Sequence, residues 1–171
     1  MQNSLINAGN ISTNMKAIKL SIFLSAIFLL GSASHPAQYQ IIPMHKKGAG
    51  TYYVHGKLAS LADTEFMVDT GSGYITINET SLAQLTQNGS ATFVKNIVGI
   101  LADGSRKVVP IWSISSLNIG ENCHLIDVEA AVFPGKTRQI LGLTALKKAA
   151  PFTLSFEPPE LTLSRCNPLE T

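Results

Sequence analysis

The sequence predicts a compact all-β domain with one short C-terminal helix, preceded by an N-terminal export segment. Three observations carry that expectation. Short runs rich in Val, Ile, Thr, Tyr and Phe recur between His35 and Thr171, separated by turn residues, and no repeat or low-complexity tract interrupts them. Hydrophobic residues make up 45% of the 171 positions and charged residues 14%, which supports a packed core and argues against disorder. The clearest helix pattern covers residues 143–149 and stops before Pro151.

Residues 1–14 carry no readable signal. Met15-Lys16-Ala17-Ile18-Lys19 is a basic start, followed by an apolar run of eleven residues, 20–30, and by small residues at Gly31-Ser32-Ala33-Ser34. Spanning a bilayer as a helix takes about 20 residues, so a cleaved signal peptide is favoured over an uncleaved anchor. Either form places the remainder outside the cytoplasm, periplasmic or secreted, with a membrane link only if the segment is retained. Residues 1–34 are therefore set apart, 35–50 read as a flexible lead-in around Gly48-Ala49-Gly50, and 51–171 as the folded domain. Without Lys16 and Lys19, eleven basic residues face eleven acidic ones. That balance leaves no footprint for nucleic acid or an anionic membrane.

Within the domain, residues 51–58 and 64–68 read as strands joined by a turn at 59–63. Residues 74–78 alternate with Ile75 and Ile77 on one face, 79–85 suit a short helical turn, and 87–90 a loop. Asp103-Gly104, between Ile100-Leu101 and Val108-Val109, signals a hairpin, since both turn residues tolerate positive φ. Trp112 and Ile114 share one phase and Leu117 and Ile119 the other, which predicts a bulge near Ser115-Ser116. Residues 120–122 turn into a strand over 123–132, with Ile126, Val128 and Ala130 inward and Asp127 and Glu129 outward. Ile140-Leu141-Gly142 is a short buried strand. Residues 152–156 and 161–164 form a last hairpin.

Asp69 stands out. It follows the apolar strand end Phe66-Met67-Val68 and precedes Thr70-Gly71-Ser72-Gly73. A carboxylate there is costly unless its surroundings satisfy it. Taken alone, Asp-Thr-Gly is equally consistent with an Asx turn in which Asp69 caps its own backbone. The later segment changes that balance. Met67-Val68-Asp69-Thr70-Gly71-Ser72, followed by Ile140-Leu141-Gly142-Leu143-Thr144-Ala145-Leu146, resembles the retropepsin-like aspartic peptidases, above all bacterial exported members. The resemblance covers roughly residues 51–163. It implies the fold of one half of an acid protease, with Asp69 catalytic, Thr70, Gly71 and Ser72 supporting it, and Ile140, Leu141 and Gly142 threading behind. Ala102, Asp103 and Gly104 resemble the tip of the family's flap. Two departures stand beside it. Gly73-Tyr74 replaces the small and then β-branched or polar residues more usual there, and the flap lacks the glycine run of viral members.

The family's chemistry needs two carboxylates around one water, and this sequence contains one Asp-Thr-Gly and is too short for two lobes. The resemblance therefore implies a homodimer acting on a peptide or protein substrate, with Thr70 bonding across the twofold axis. A peptide-binding or dimerisation module with little hydrolysis is the alternative use of the same fold. An unrelated exported β-barrel is a third. No cofactor is expected. His35, His45, His55 and His124 lack metal-ligand spacing, so no metal is expected either. No Gly-x-Ser-x-Gly elbow appears. Cys123 and Cys166 fit an oxidising compartment and a possible disulfide, within the chain or across a dimer.

Overall fold

The computed structural model describes residues 39–166; the expected signal segment lies outside the described residues. Thirteen elements follow in order: β1 (Gln40–Pro43), β2 (His45–Lys47), β3 (Thr51–Leu58), β4 (Thr64–Val68), β5 (Ile75–Asn78), α1 (Glu79–Gln87), β6 (Ala91–Ile100), β7 (Arg106–Ile119), β8 (Cys123–Phe133), β9 (Ile140–Leu141), α2 (Leu143–Lys148), β10 (Phe152–Phe156) and β11 (Pro159–Leu163). The fold is mostly β, as the sequence predicts.

Eight strands form one sheet in the order β2-β3-β4-β9-β5-β8-β7-β6. β3 also pairs with β7, at Gly56↔Ile119 and Leu58↔Leu117, so six of these strands close into a ring. Gly56 is needed at that seam, because a Cβ there would lie 2.7 Å from the Asn118 carbonyl. Phe66, Leu58, Ile75, Ile77, Ile114, Leu117 and Leu141 fill the interior with no more than 1% exposure. Burying each such side chain stabilises the fold by roughly 1.5–3 kcal/mol. The parallel partners β5 and β8 are covered on both faces where they meet, which explains the unbroken apolar run Ala130-Ala131-Val132.

The lead-in differs from expectation. Residues 35–50 were expected to be flexible, yet β1 and β2 lie within them. β1 pairs with β11 in a separate three-stranded sheet, β1-β11-β10, and β2 pairs with β3. The alternation there is short, but distant partners supply the hydrogen bonds that make strands of it. α1 is also longer than the expected turn and longer than α2. Asn78 caps it by accepting from the Ser81 N–H at 2.8 Å, and Leu85 anchors it in the core.

Ile126 is corrected as well: it is half-exposed, and Leu125 takes the inward position. Asp127 adopts φ +51°, which flips the side-chain parity of β8, so Val128 and Ala130 point inward while Ile126 does not. Opposite it, the Ser115 N–H turns away to the Ser90 carbonyl. The parity of β7 changes at the same place, between Ile114 and Leu117. A register shift lies in the neighbouring pair, between Phe93 and Lys95 of β6.

A disulfide joins Cys123, buried at the start of β8, to Cys166 beyond β11, across 43 residues. Closing a loop of that length in the unfolded chain is worth about 4 kcal/mol on chain entropy alone. Replacing both cysteines by serine should lower the urea midpoint correspondingly. An unchanged midpoint would show that the bond contributes nothing.

Candidate active site

β4 delivers Asp69 to its position through pairing with β9. Met67 and Val68 lie parallel to Ile140 and Leu141, the Met67 N–H donates to the Gln139 carbonyl at 3.0 Å, and the Asp69 N–H donates to the Leu141 carbonyl at 3.1 Å. The chain then turns sharply. Ser72 N–H donates to the Asp69 carbonyl at 3.3 Å, and Gly71 N–H donates to Asp69 Oδ1 at 2.8 Å. The Asx-type contact therefore exists, and it fixes the carboxylate's rotamer within a site that is more than a surface turn. Asp69 itself is half-buried, whereas Thr70 and Gly71 are exposed.

The turn is fastened to the segment behind it. Leu143 N–H donates to the Ser72 carbonyl at 2.8 Å, and the Ser72 hydroxyl donates to the Tyr74 carbonyl at 2.8 Å. Gly142 lies directly beneath: a Cβ there would be 2.0 Å from the Tyr74 oxygen and 2.9 Å from that of Ser72. The glycine is required by close backbone approach, since its φ of −101° suits any residue. Thr144, on the first turn of α2, completes the support. Its Oγ1 accepts from the Ile75 N–H and donates to the Glu129 carbonyl, both at 2.8 Å. Nothing in the sequence pattern marked Thr144, because both partners lie in other strands. Thr144→Val keeps the shape and orphans both groups, so a loss of about 2 kcal/mol in unfolding free energy is expected.

Asp69 borders two open clefts. One, of about 650 Å³, is lined by Met44, Thr51, Tyr52, Thr70, Leu154 and Phe156 among others. The second, of about 600 Å³, runs from Ser72 and Tyr74 past Ile140 to Ile97, Ile100, Leu101 and Ala102 of the β6–β7 hairpin. Both are of a size suited to ligands. No other carboxylate among the described residues lines either one. Tyr74 packs beside the small cluster of Val109, Ile111 and Ala131 and also walls the second cleft.

Of the expected flap residues, Ala102 reaches the cleft, while Asp103 and Gly104 form the tip and do not line it. The tip is a five-residue loop, with Leu101 N–H bonded to the Ser105 carbonyl and a positive φ at Gly104 alone, not at both turn residues. Asp103 Oδ1 accepts from the Ser105 N–H at 2.9 Å and its hydroxyl at 2.6 Å. These bonds, the hydroxyl's first, hold the carboxyl below the usual carboxylate range. The depressed value means the tip's support is present above the ordinary aspartate pKa and is lost as pH falls through the lowered one. Cys123 and Cys166 line neither cleft.

A second group of side chains escaped the sequence reading: His45, His55 and Glu65 come together on β2, β3 and β4, with their ligand atoms all within 4.8 Å of one another. Linear spacing could not reveal it, because strand register creates it. His124 is elsewhere, bonded to Asn118.

Comparison with known proteins gives a family and a fold. The family model described as aspartyl protease matches residues 53–145, from β3 into α2. A crystal structure of a retropepsin-like aspartic protease from Rickettsia conorii is similar in fold, with a TM-score of 0.52 and 18% sequence identity, covering 74% of this chain and 90% of that one. No curated protein matches this chain.

Proposed function

Because the chain belongs to the retropepsin-like aspartyl protease family, we propose that it is an aspartic endopeptidase whose active site forms when two copies meet at Asp69. One observation carries this reading. A half-buried carboxylate is held by β9 at the junction of two clefts, and the described residues offer it no second carboxylate. Thr70, exposed next to it, and Phe156, exposed on the rim of the first cleft, supply surface for the second copy.

Two carboxyls held face to face share one proton, since both cannot ionise at such short range. The ionised member takes a proton from the bound water as its oxygen attacks the scissile carbonyl, and the protonated member donates to the carbonyl oxygen. The tetrahedral diol then collapses, the C–N bond breaks, and the amine leaves with a proton returned by the dyad. The pair titrates as one unit. The Ile97, Ile100 and Leu101 wall of the second cleft suits apolar side chains of an extended peptide.

We place the activity outside the cytoplasm, on the strength of the basic-apolar-small pattern of residues 15–34 and the Cys123–Cys166 bond. The test is cleavage of an unfolded protein substrate from acid to neutral pH, with and without a pepstatin-type inhibitor, by the wild type and by Asp69→Asn. If the two chains cut equally poorly at every pH and concentration, the fold serves as a binding module.

A further inference from the structure

Strand parity explains why His45, His55 and Glu65 meet. On β3, Val54 points into the core, so Tyr53 and His55 point outward; on β4, Phe66 is buried and Glu65 points outward. Register then sets the neighbours: His55 faces Glu65 directly, and His45 faces Tyr53, one step diagonal to His55. His45 Nε2 lies 2.7 Å from Glu65 Oε1, and the two imidazole rings stand 5.1 Å apart.

We propose that His45, His55 and Glu65 form a binding site for a divalent ion of the zinc class, on the outer face of β2–β3–β4. Two imidazoles and one carboxylate are a donor set that such ions favour. Tetrahedral ligand atoms stand about 3.3 Å apart around zinc at bond lengths of about 2.0–2.1 Å. The His55 ligand atom lies within 4.8 Å of the other two and would approach by rotation of that exposed ring, while the His45–Glu65 pair would open slightly from 2.7 Å to admit the ion.

The surroundings prepare the ligands. Tyr53 stacks on His45, with centroids 5.9 Å apart, which restricts that ring. Lys47 bonds Glu65 Oε2, leaving Oε1 turned toward His45. That is the outer-partner arrangement that orients a ligating carboxylate. The Lys47 ammonium opposes the ion's charge, which weakens its binding.

Three protein ligands leave a coordination position for water. The bound ion would tie β2, the last strand of the sheet at that edge, to the strand that carries Asp69. The site is separate from Asp69, which it neither contacts nor needs for its ligands.

The test is calorimetric titration of zinc chloride into the tag-free full chain. The expected result is one zinc per chain, at least about tenfold weaker in His55→Ala and in Glu65→Gln, and unchanged in His124→Ala. Excess zinc should raise the Tm of the wild type by at least about 3 °C and that of His55→Ala by clearly less at the same concentration. Equal Tm values without zinc would show that His55→Ala remains folded. Absence of saturable binding up to about 1 mM, a concentration that would leave any site too weak to matter, overturns the proposal. So does binding that His55→Ala and Glu65→Gln leave intact. Peptide cleavage, if present, should survive His55→Ala, so the outcome for this site and that for the peptidase are read separately.

Discussion

Replacing Asp69 by Asn is expected to leave a folded chain whose rate of peptide cleavage falls by about 10³-fold or more. The fold should persist because the Asn Oδ1 can still accept from the Gly71 N–H, as Asp69 does at 2.8 Å. The rate should collapse because an amide neither takes a proton from water nor shares one with a partner, and acid–base groups typically contribute 10²–10⁴-fold. Mixing the two proteins tests the shared site more sharply than the variant alone. If each active site needs one Asp69 from each copy, an equimolar mixture that exchanges subunits retains about one quarter of the rate of the same total amount of wild type, against about one half if each chain works by itself. A value near one half, with exchange shown independently, would rule out the dimeric dyad.

Gly142→Ala should be the most damaging small substitution in the chain. Its Cβ would lie 2.0 Å from the Tyr74 oxygen and 2.6 Å from the Tyr74 carbonyl carbon, both backbone atoms that cannot swing aside. Relief requires moving the Ser72–Tyr74 turn off the start of α2. That breaks the Leu143-to-Ser72 bond and disturbs the Ile75-to-Thr144 bond. A loss of about 3–5 kcal/mol is expected, a large part of the stability of a domain this size. Gly73→Ala is the control, since a Cβ there meets nothing within 4 Å. Trp112, the single tryptophan, reports unfolding in urea. Equal midpoints for the two variants would mean that the turn and β9 are less tightly joined than the structure shows.

The two glycines differ in a way the sequence alone does not reveal. Gly142 follows an apolar strand and belongs to a segment that suggested the family, whereas Gly73 closes the Asp69 turn and is one of the departures from the family pattern. Only the packing of Tyr74 across Gly142 shows that one is replaceable and the other is not. Asp69 is the reverse case. Its place at a strand end before Thr70-Gly71 is legible because three neighbouring residues create it, and the β4–β9 pairing adds support without changing the reading.

What the sequence by itself determined is therefore local: the strands of residues 51–78, the Asp69 turn, the hairpin whose loop is residues 101–105, and the Ile140–Leu141 strand leading through Gly142 into α2. Each is written in adjacent residues by alternation, turn chemistry or a glycine at a strand end. Tertiary structure alone decided the strands β1 and β2, the seam between β3 and β7, the outward turn of Ile126 and the meeting of His45, His55 and Glu65. These depend on register between segments far apart in the chain. Shifting a strand by one residue moves every side chain to the opposite face, and no local pattern carries that choice.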